Sequence, residues 1–502
     1  MRRSLPALAS RLQGPSCYAR FLAQPCALAL TLTLVALVVA MAPRPRWVAM
    51  DPAPAGAPGR GRSVTPLSVL VARARSEPAL AIDPRDSRHI VAVANPDFFG
   101  VFAHEPVNGT FASRDGGATW VQGAAPTYGN FTGVADPSVG FDAAGQAYYL
   151  WMGETPAWCG QTGNTALLLA RSLESGPTFG PPTVLDVNHA DDKPYLAVSA
   201  QGGRTAIDAS FTRWLNSGSQ ILFTHSLDGG HTFTVPTVLY ATPGVNFASL
   251  PIVGPHGHLY VVWAHYHSSN YYGPLRASMM LRASTDGGRT FGPVVIIAAF
   301  TGLPEMIVPG SVRVFTLPAA GVDMRTGALY VAWVQARAIP HPRYTGEMDA
   351  DLVLSRSRDG GRTWTRPAVL NDTPLGDRFV PTLTVGPGGI VRVSFYDRRA
   401  DHMRFGLYGV AARDLGKRLL VWPNRRISPV LSSPSTLAYA YGSCVAPGRY
   451  LGDYIAAATA PDGTLDTMWT DTALGKPKET DLWFARVPPR YLQAGTPRVV
   501  GW

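Results

Sequence analysis

Charged residues, cysteines and helical patterns are all scarce in this sequence. Only 16% of its 502 residues are charged, and no amphipathic helical run occurs after residue 45. Glycine and proline are frequent instead, with 51 and 44 copies. This composition argues against a helical protein and predicts an all-β fold whose strands are separated by Gly/Pro turns.

The net charge of +10 is concentrated at one end of the chain. Residues 1–62 hold eight Arg and one Asp, so the rest of the chain carries only +3. No basic stripe remains to follow a phosphate backbone, and we therefore expect no nucleic-acid partner.

The N-terminal segment has the pattern of an export signal. An uncharged run, residues 26–42, follows a flank that contains Arg2, Arg3, Arg11 and Arg20. A basic flank before an apolar segment is typical of a signal peptide or a membrane anchor, and this run is at the short end for a spanning helix. Pro43 follows the small residues of the potential cleavage site and would hinder processing. We expect an exported chain, secreted or anchored facing outward, that contacts the membrane only through this segment.

One eight-residue pattern recurs along the remaining chain. Four intact copies, Ser-x-Asp-Gly-Gly-x-Thr-Trp/Phe, occupy residues 113–120, 226–233, 284–291 and 357–364, and a degenerate copy occupies 172–179. Asp-Gly-Gly between apolar runs predicts a hairpin turn, because glycine accepts a positive φ and the Ser and Asp side chains can bond nearby amides. Regular recurrence predicts a repeat architecture. We assign a structural role to Asp115, Asp228, Asp286 and Asp359.

This pattern resembles the Asp-box, or bacterial neuraminidase repeat, of the sialidase-like β-propellers. The resemblance covers about residues 66–487 and implies four-stranded blades in which the Asp-box hairpin joins strands three and four. A second, looser pattern of two strands around a turn precedes these hairpins, and its seven copies begin at Pro78, Pro137, Pro194, Pro251, Leu317, Pro381 and Tyr454. We favour seven blades, with the six of true sialidases plus an accessory hairpin as the alternative.

The last unit contains only three strands, and the stretch after Pro66 would supply the fourth by closing the ring. The chain then divides into a basic segment (1–25), a signal or anchor segment (26–42), a Pro/Ala/Gly-rich linker (43–63), the propeller (64–490) and a C-terminal tail (491–502). Cys159 and Cys444, the two cysteines of the folded part, fall on one face, and we expect a disulfide between them and a monomeric protein.

Sialidase-like propellers carry their sites at the mouth of the central channel, on the face away from the Asp-box turns. The loops assigned to that face are rich in polar and aromatic residues, which suit sugar binding by ring stacking and hydroxyl bonding. No cofactor or metal is expected, because the His265-x-His267 pair lacks a third ligand nearby in sequence. The substrate-binding candidates are Trp214, His265, His267, Tyr271, Tyr272 and Tyr344.

The resemblance also implies catalytic residues, which this sequence matches in part. Sialidases use a Tyr nucleophile at the start of the last blade, where Tyr454 stands. Either Glu347 or Glu154 would take its proton, and Asp136 or Asp192 would be the acid/base.

Sialidases bind the sugar carboxylate through three arginines, one of them in an Arg-Ile-Pro motif that is absent here. Arg378-Phe379-Val380-Pro381 is the nearest match. The arginine candidates are Arg313, Arg378, Arg398 and Arg449. The sequence thus predicts an exported sialidase-like propeller that recognises a glycan or glycoconjugate. Hydrolysis of a sialoside-type bond, non-catalytic binding of glycans or proteins, and a structural role in the cell envelope remain open.

Overall fold

The strands form seven antiparallel sheets that are arranged as the blades of a β-propeller, so the all-β, seven-bladed prediction is confirmed. The computed structural model describes residues 66–96, 109–131, 133–155, 164–268, 275–303, 310–337, 350–374, 376–401, 403–437, 449–472, 474 and 480–502. Cys159, Cys444, Tyr271, Tyr272, Tyr344, Glu347 and the N-terminal segment for which export was predicted lie outside these residues.

The first three blades follow one another along the chain, each with its four strands in sequence order. Blade one contains β2 (Arg75–Asp83), β3 (Asp86–Pro96), β4 (Gly109–Ser113) and β5 (Val121–Ala124). Blade two contains β6 (Gly133–Phe141), β7 (Ala147–Glu154), β8 (Thr165–Arg171) and β9 (Thr183–His189). Blade three contains β10 (Asp191–Gln201), β11 (Arg204–Leu215), β12 (Gly218–Ser226) and β13 (Thr237–Ala241).

Blades four and five repeat this order, and blade six is wider. Blade four contains β14 (Val245–Val253), β15 (Leu259–Tyr266), β16 (Leu275–Ser284) and β17 (Val295–Gly302). Blade five contains β18 (Ala319–Val322), β19 (Leu329–Ala336), β20 (Ala350–Ser357) and β21 (Ala368–Val369). Blade six contains β22 (Arg378–Gly386), β23 (Ile390–Asp397), β24 (Gly406–Asp414), β25 (Arg418–Val421) and the short β26 (Arg425–Arg426), which pairs with β24.

Blade seven closes the ring with strands from both ends of the propeller. It contains β27 (Ala456–Thr459), β28 (Leu465–Asp471), β29 (Asp481–Val487) and, as its outer strand, β1 (Leu67–Arg73). The antiparallel pairing of β1 with β29 is the predicted closure. After it the chain forms a short helix, α1 (Pro489–Leu492), and β30 (Arg498–Gly501), which pairs with β25 and so extends blade six.

Only short helices accompany the strands in the described part of the chain. Besides α1 there are 3-10 turns at Pro255–Gly257, Pro387–Gly389 and Pro434–Thr436. Among these described residues, none belongs to a helix that is long and apolar enough to cross a membrane.

The second strand of most blades is an almost continuous buried run, as a strand packed on both faces requires. Strands β15 and β23 are buried along their whole length. Four blades place a fully buried tryptophan at the same point of this strand, namely Trp151, Trp263, Trp333 and Trp469. These rings fill the space between neighbouring blades and explain why the repeat units end in an aromatic residue.

The four intact repeats form one hydrogen-bonded turn between strands three and four. In the first copy the Ser113 hydroxyl donates to Asp115 over 2.8 Å and accepts from the Gly117 amide over 2.8 Å, while the Thr119 amide donates to Asp115 over 2.9 Å. The same three bonds recur around Asp228, Asp286 and Asp359. Gly117, at φ +88°, packs on blade seven so closely that a Cβ would lie 2.0 Å from Phe484.

The first strands of neighbouring blades contact one another, and five of them carry a β-bulge near their start. At each bulge one non-glycine residue adopts a left-handed backbone, with φ between 48° and 54°. The residues are Glu77, Asp136, Lys193, Ala248 and Val380. Such a conformation costs about 1–2 kcal/mol per residue, and strain of this kind is concentrated at functional sites.

Candidate functional site

Three of these strained positions bring charged side chains from different blades into contact. The Lys193 Nζ atom lies 3.0 Å from an Asp136 oxygen, 2.9 Å from an Asp453 oxygen and 3.8 Å from a Glu77 oxygen. All four side chains are at most 5% exposed. A single ammonium group therefore joins carboxylates of blades one, two and seven.

Arg313 adds a second cation beside Asp453. Its Nη2 atom donates to Asp453 over 3.1 Å, while the Asp453 amide donates to Glu77 over 2.9 Å. The other Glu77 oxygen accepts from the Asn95 side chain over 2.6 Å. Both carboxylates are thus held in place by several donors, which is what buried charges require.

Tyr454 and Asp192 meet at Asp136, the carboxylate that Lys193 contacts. The Tyr454 hydroxyl lies 3.3 Å from Asp136 Oδ1, and Asp192 hydrogen-bonds the same carboxylate. The Trp214 indole donates to Asp192 over 2.8 Å. We call Glu77, Asp136, Asp192, Lys193, Arg313, Asp453 and Tyr454 the central cluster.

Aromatic rings surround the central cluster. The Tyr195 ring meets the Tyr454 ring edge-on at 5.8 Å, and Trp214 packs against Phe247 at 5.5 Å. Tyr450 lies 5.5 Å from the Arg313 guanidinium. Tyr195, Trp214, Tyr450 and Tyr454 are only half-buried, so part of each aromatic surface is accessible.

Burial and charge set opposite protonation states for the two aspartates. Burial would raise the pKa of Asp136, but the charge of Lys193 and hydrogen bonds from Asp192 and Lys193 hold it below its usual value. Burial and the charge of Asp136 raise the pKa of Asp192 well above its usual range. Asp192 therefore keeps its proton to a higher pH than Asp136, the arrangement by which two neighbouring carboxyl groups divide acid and base roles.

The remaining titratable groups respond to the same surroundings. Burial alone would lower the pKa of Lys193, but the carboxylates around it raise it well above its usual value. Burial raises the pKa of Glu77 to about 7 and, together with the charge of Asp136, that of Glu154 to about 7. Burial, Asp136 and Glu77 also raise the pKa of Tyr454 well above its usual value.

The structure brings five of the predicted site residues together. Asp136, Asp192, Trp214, Arg313 and Tyr454 meet in or beside the central cluster. Their catalytic and binding roles stay predictions.

The other three arginine candidates have partners within their own region. The Arg378 side chain is fully buried and donates to Asp397 over 3.1 Å. The Arg398 side chain is also fully buried, and Arg449 donates to the carbonyl groups of Ser435 and Leu437. The Arg449 carbonyl group also accepts a hydrogen bond from the Arg313 amide over 2.9 Å, so the Arg449 backbone lies next to the central cluster.

The histidine candidates lie between the outermost strand of blade three and the first two strands of blade four. His265 Nδ1 lies 2.9 Å from the Asn246 side chain, and its ring contacts Tyr240 of the outermost strand of blade three. The His267 ring is 4.5 Å away, and burial together with this neighbour lowers the pKa of His265 to about 4. No contact joins this pair to the central cluster among the residues that the structure describes.

Sequence reasoning missed Glu77, Tyr195 and Tyr450. A signal for Glu77 was present, because in four of the units the residue before the opening proline is the strained residue of the bulge. Reading that position across the units shows Glu77, Asp136 and Lys193 in three successive blades.

A second group of charged residues lies in blades two and three. Asp186, His189 and Asp191 place ligand atoms within 4.8 Å of one another. The Arg213 guanidinium bonds both aspartates, at 2.7 Å for Asp191. Burial raises the pKa of Asp191 to about 6. Arg213 thus supplies the positive charge that these carboxylates need.

The strand order, the ring closure and the repeated turns decide the architecture. The fold is a seven-bladed β-propeller. Among solved structures, the chain is similar to a protein of unknown function from Dyadobacter fermentans, with 15% identity, 85% of this chain and 99% of that chain covered, and a TM-score of 0.42.

Two solved glycosidases are also similar. For an α-L-arabinofuranosidase from Fusarium graminearum the identity is 11%, the coverage 72% of this chain and 94% of that chain, and the TM-score 0.41. For a sialidase from Streptococcus pneumoniae the values are 9%, 80%, 83% and 0.42. No protein-family model and no curated protein matches the sequence. The proposals below therefore rest on the residues of this chain.

Proposed function

We propose that this protein binds a glycan at the central cluster and hydrolyses a glycosidic bond with Tyr454 as the nucleophile. The observation that carries the proposal is the 3.3 Å contact between the Tyr454 hydroxyl and Asp136, with the protonated Asp192 on the same carboxylate. A nucleophile, a base within hydrogen-bond reach and a separate acid are the parts that covalent glycoside hydrolysis needs.

In the first step Asp136 accepts the phenolic proton while the Tyr454 oxygen forms a bond with the anomeric carbon. The bond to the leaving oxygen breaks, and Asp192 gives its proton to that oxygen. Water then attacks the glycosyl-tyrosine, Asp192 takes the proton of the water, and Asp136 returns the first proton to Tyr454. The half-buried Tyr195 and Trp214 rings suit the flat faces of a sugar beside these groups.

Lys193 assists this step by its position. Its ammonium group lies 5.4 Å from the centre of the Tyr454 ring, close enough to stabilise a phenolate. The β-bulge thus places Lys193 beside the nucleophile, whereas the sequence predicts a glutamate beside Tyr454.

Binding without turnover is the second candidate, and one observation favours it. Lys193 holds the pKa of Asp136 low, which makes this carboxylate a weak base, while burial raises the pKa of Tyr454. Proton transfer from the phenol is therefore uphill in the unliganded protein. A propeller that only recognises a glycan would keep the same aromatic rings without this transfer.

Turnover and binding measured on two variants separate the candidates. The full chain is incubated with a panel of 4-methylumbelliferyl glycosides, including a sialoside, and binding is measured on a glycan array. We expect Tyr454→Phe to abolish turnover and to retain binding, and Trp214→Ala to weaken binding. Tyr148→Phe is the matched control, because the Tyr148 hydroxyl bonds Asp142 at the end of the blade that carries the Asp-box turns.

A Tyr454→Phe protein that keeps full turnover would exclude Tyr454 as the nucleophile. Absence of turnover on every glycoside, with binding that depends on Trp214, would establish the non-catalytic candidate instead.

We also propose that the protein acts outside the cytoplasm, secreted or held by its N-terminal segment. The support is the arginine flank followed by the uncharged run at residues 26–42. Protease treatment of intact cells that express the full chain tests this. Digestion of the propeller before lysis is expected, and protection until lysis would contradict export.

A further inference from the structure

Both cations of the central cluster are already neutralised by carboxylates. Lys193 contacts Asp136 and Asp453 within 3.0 Å and Glu77 at 3.8 Å. Arg313 donates to the same Asp453 oxygen over 3.1 Å and is stacked at 4.8 Å on Phe315. An arriving anion would have to displace a carboxylate that is held in place at several points.

The described carboxyl groups around Tyr454 outnumber these cations. Glu77, Asp136 and Asp453 surround Lys193, and Glu154 lies beside Asp136. A further negative charge raises the energy of such a group, because like charges repel strongly where water is excluded. Burial is the main cause of the raised pKa values of Glu154 and Asp192, and the charge of Asp136 raises both further.

One oxygen of the central cluster lacks a partner. Asp453 is 3% exposed, and its Oδ1 atom has no hydrogen-bond partner among the described residues. A buried acceptor of this kind is costly to leave unpaired. A sugar hydroxyl can donate to it, whereas the carboxylate of an acidic sugar has no proton to offer.

Apart from Arg313, which is paired with Asp453, the accessible groups of the central cluster and its surroundings are uncharged among the described residues. They are the aromatic surfaces of Tyr195, Trp214, Tyr450 and Tyr454. Together with the protonated Asp192 they offer hydrogen-bond donors and ring faces but no free positive charge. Ring faces and hydroxyl partners are what a neutral sugar uses when it binds a protein.

We infer that the sugar held by the central cluster is an uncharged pentose or hexose unit, and that acidic sugars such as sialic and uronic acids are rejected. This inference rests on the proposed glycan binding at the same cluster and names its substrate class. It departs from the sialoside that the sequence resemblance implied, because the carboxylates occupy the cations that an acidic sugar would need.

Matched pairs of ligands test the inference. The full chain is measured with glycans that differ only by a carboxylate, such as a glucoside against a glucuronide and a galactoside against a galacturonide, together with a sialoside. Binding on the array and hydrolysis of the fluorogenic glycosides are read separately. We expect the neutral member of a pair to be preferred by at least about tenfold, as expected for like charges facing each other.

A variant tests whether the preference for neutral sugars arises at the central cluster. Asp453→Asn removes one negative charge beside Arg313, and we expect it to narrow the preference for the neutral partner. Asp372→Asn is the control, because Asp372 pairs with Arg399 in blade six and touches no residue of the central cluster. Thermal unfolding of both variants shows that they are folded.

The outcomes distinguish this inference from the proposed hydrolysis. Neutral glycans that bind without turnover would sustain the inference and contradict the hydrolysis. Turnover of a sialoside or uronide that requires Tyr454 would sustain the hydrolysis and overturn the inference. Failure of the folded chain to bind any neutral glycan overturns the inference as well.

Discussion

Lys193 and Asp136 form a 3.0 Å ion pair between two adjacent blades, and both residues hold a left-handed backbone directly before a proline. The pair fixes the carboxylate that Tyr454 contacts. The same β-bulge, repeated in successive blades, therefore builds the central cluster from residues that are 57 positions apart.

Replacing Lys193 by methionine should destabilise the protein strongly. The substitution leaves Glu77, Asp136 and Asp453 buried without their shared cation, and loss of one partner of a buried ion pair costs about 3–5 kcal/mol. Urea unfolding followed by tryptophan fluorescence measures the change. Adding Asp136→Asn should recover part of the loss, because it removes one uncompensated charge. A cost below about 1 kcal/mol for Lys193→Met would contradict the assigned role.

Alanine substitutions at two glycines separate the cost of backbone strain from the cost of overpacking. Gly117 and Gly416 have nearly the same φ, +88° and +89°, but a Cβ on Gly117 would meet Phe484 at 2.0 Å whereas nothing lies within 4 Å of one on Gly416. We expect Gly416→Ala to cost about 1–2 kcal/mol from the backbone alone. Gly117→Ala should cost a further 1–3 kcal/mol, approximately, from overpacking. Urea titrations compare the two variants. Equal unfolding midpoints for Gly117→Ala and Gly416→Ala would show that the turn at Gly117 does not pack tightly on blade seven.

We expect the ionisation of Asp208 to lower the free energy of unfolding as the pH rises. Its two carboxyl oxygens are buried without a hydrogen-bond partner in the described structure, and burial raises its pKa to about 7. The pKa of an aspartate in the unfolded chain is about 3.9. Between about pH 3.9 and pH 7 the folded state therefore binds the proton more tightly than the unfolded state, and the stabilisation from this proton is lost as the pH rises through 7. Asp208→Asn should therefore gain stability over the parent between pH 5 and pH 8, by the order of a few kcal/mol.

Melting temperatures of Asp208→Asn and the parent at pH 5 and pH 8 check this expectation. Asp359→Asn is the control, because hydrogen bonds outweigh burial and lower the pKa of Asp359 to about 2. The stability that the Asp359 carboxylate contributes is present above about pH 4 and is lost only as the pH falls towards 2. The Asp359→Asn difference should therefore not change between pH 5 and pH 8. If the difference in melting temperature between Asp208→Asn and the parent is the same at pH 5 and pH 8, Asp208 is ionised in the folded protein.

Removing β1 should open the ring. A chain that begins at residue 75 lacks the outer strand of blade seven and exposes the edge of β29, including Phe484 and Trp483, the partners of Val69 and Leu70. We expect a lower melting temperature and association that increases with concentration, since free sheet edges pair with one another. Light scattering compares it with a chain that begins at residue 64. Identical melting and mass would mean that closure adds no stability.

Much of the fold was predictable because its signals are local. The Asp-Gly-Gly turns and the alternation of short strands with turns follow from residues a few positions apart, and their recurrence set the number of blades. Closure by the stretch after Pro66 followed from counting strands, since a propeller leaves no edge exposed. The pairing of Ser68 with Ala485 confirms that reasoning across more than four hundred residues.

The site was predictable only at Tyr454 and at its neighbours on the same face. Arg378 and Arg398 fall in loops assigned to that face, yet both side chains are fully buried. Residue type alone does not show whether a guanidinium points to the axis or into its own blade.

By itself the sequence determined the seven-bladed architecture, the turns and the position of Tyr454, because repeated local patterns encode strands and hairpins. Only the tertiary structure decided which charges meet at the axis. A bulge shifts the register of a strand and turns one side chain inward, so Glu77 and Lys193 join Asp136 through backbone geometry. Whether a carboxylate is an acid or a base then depends on burial and neighbours, which exist only in the folded chain.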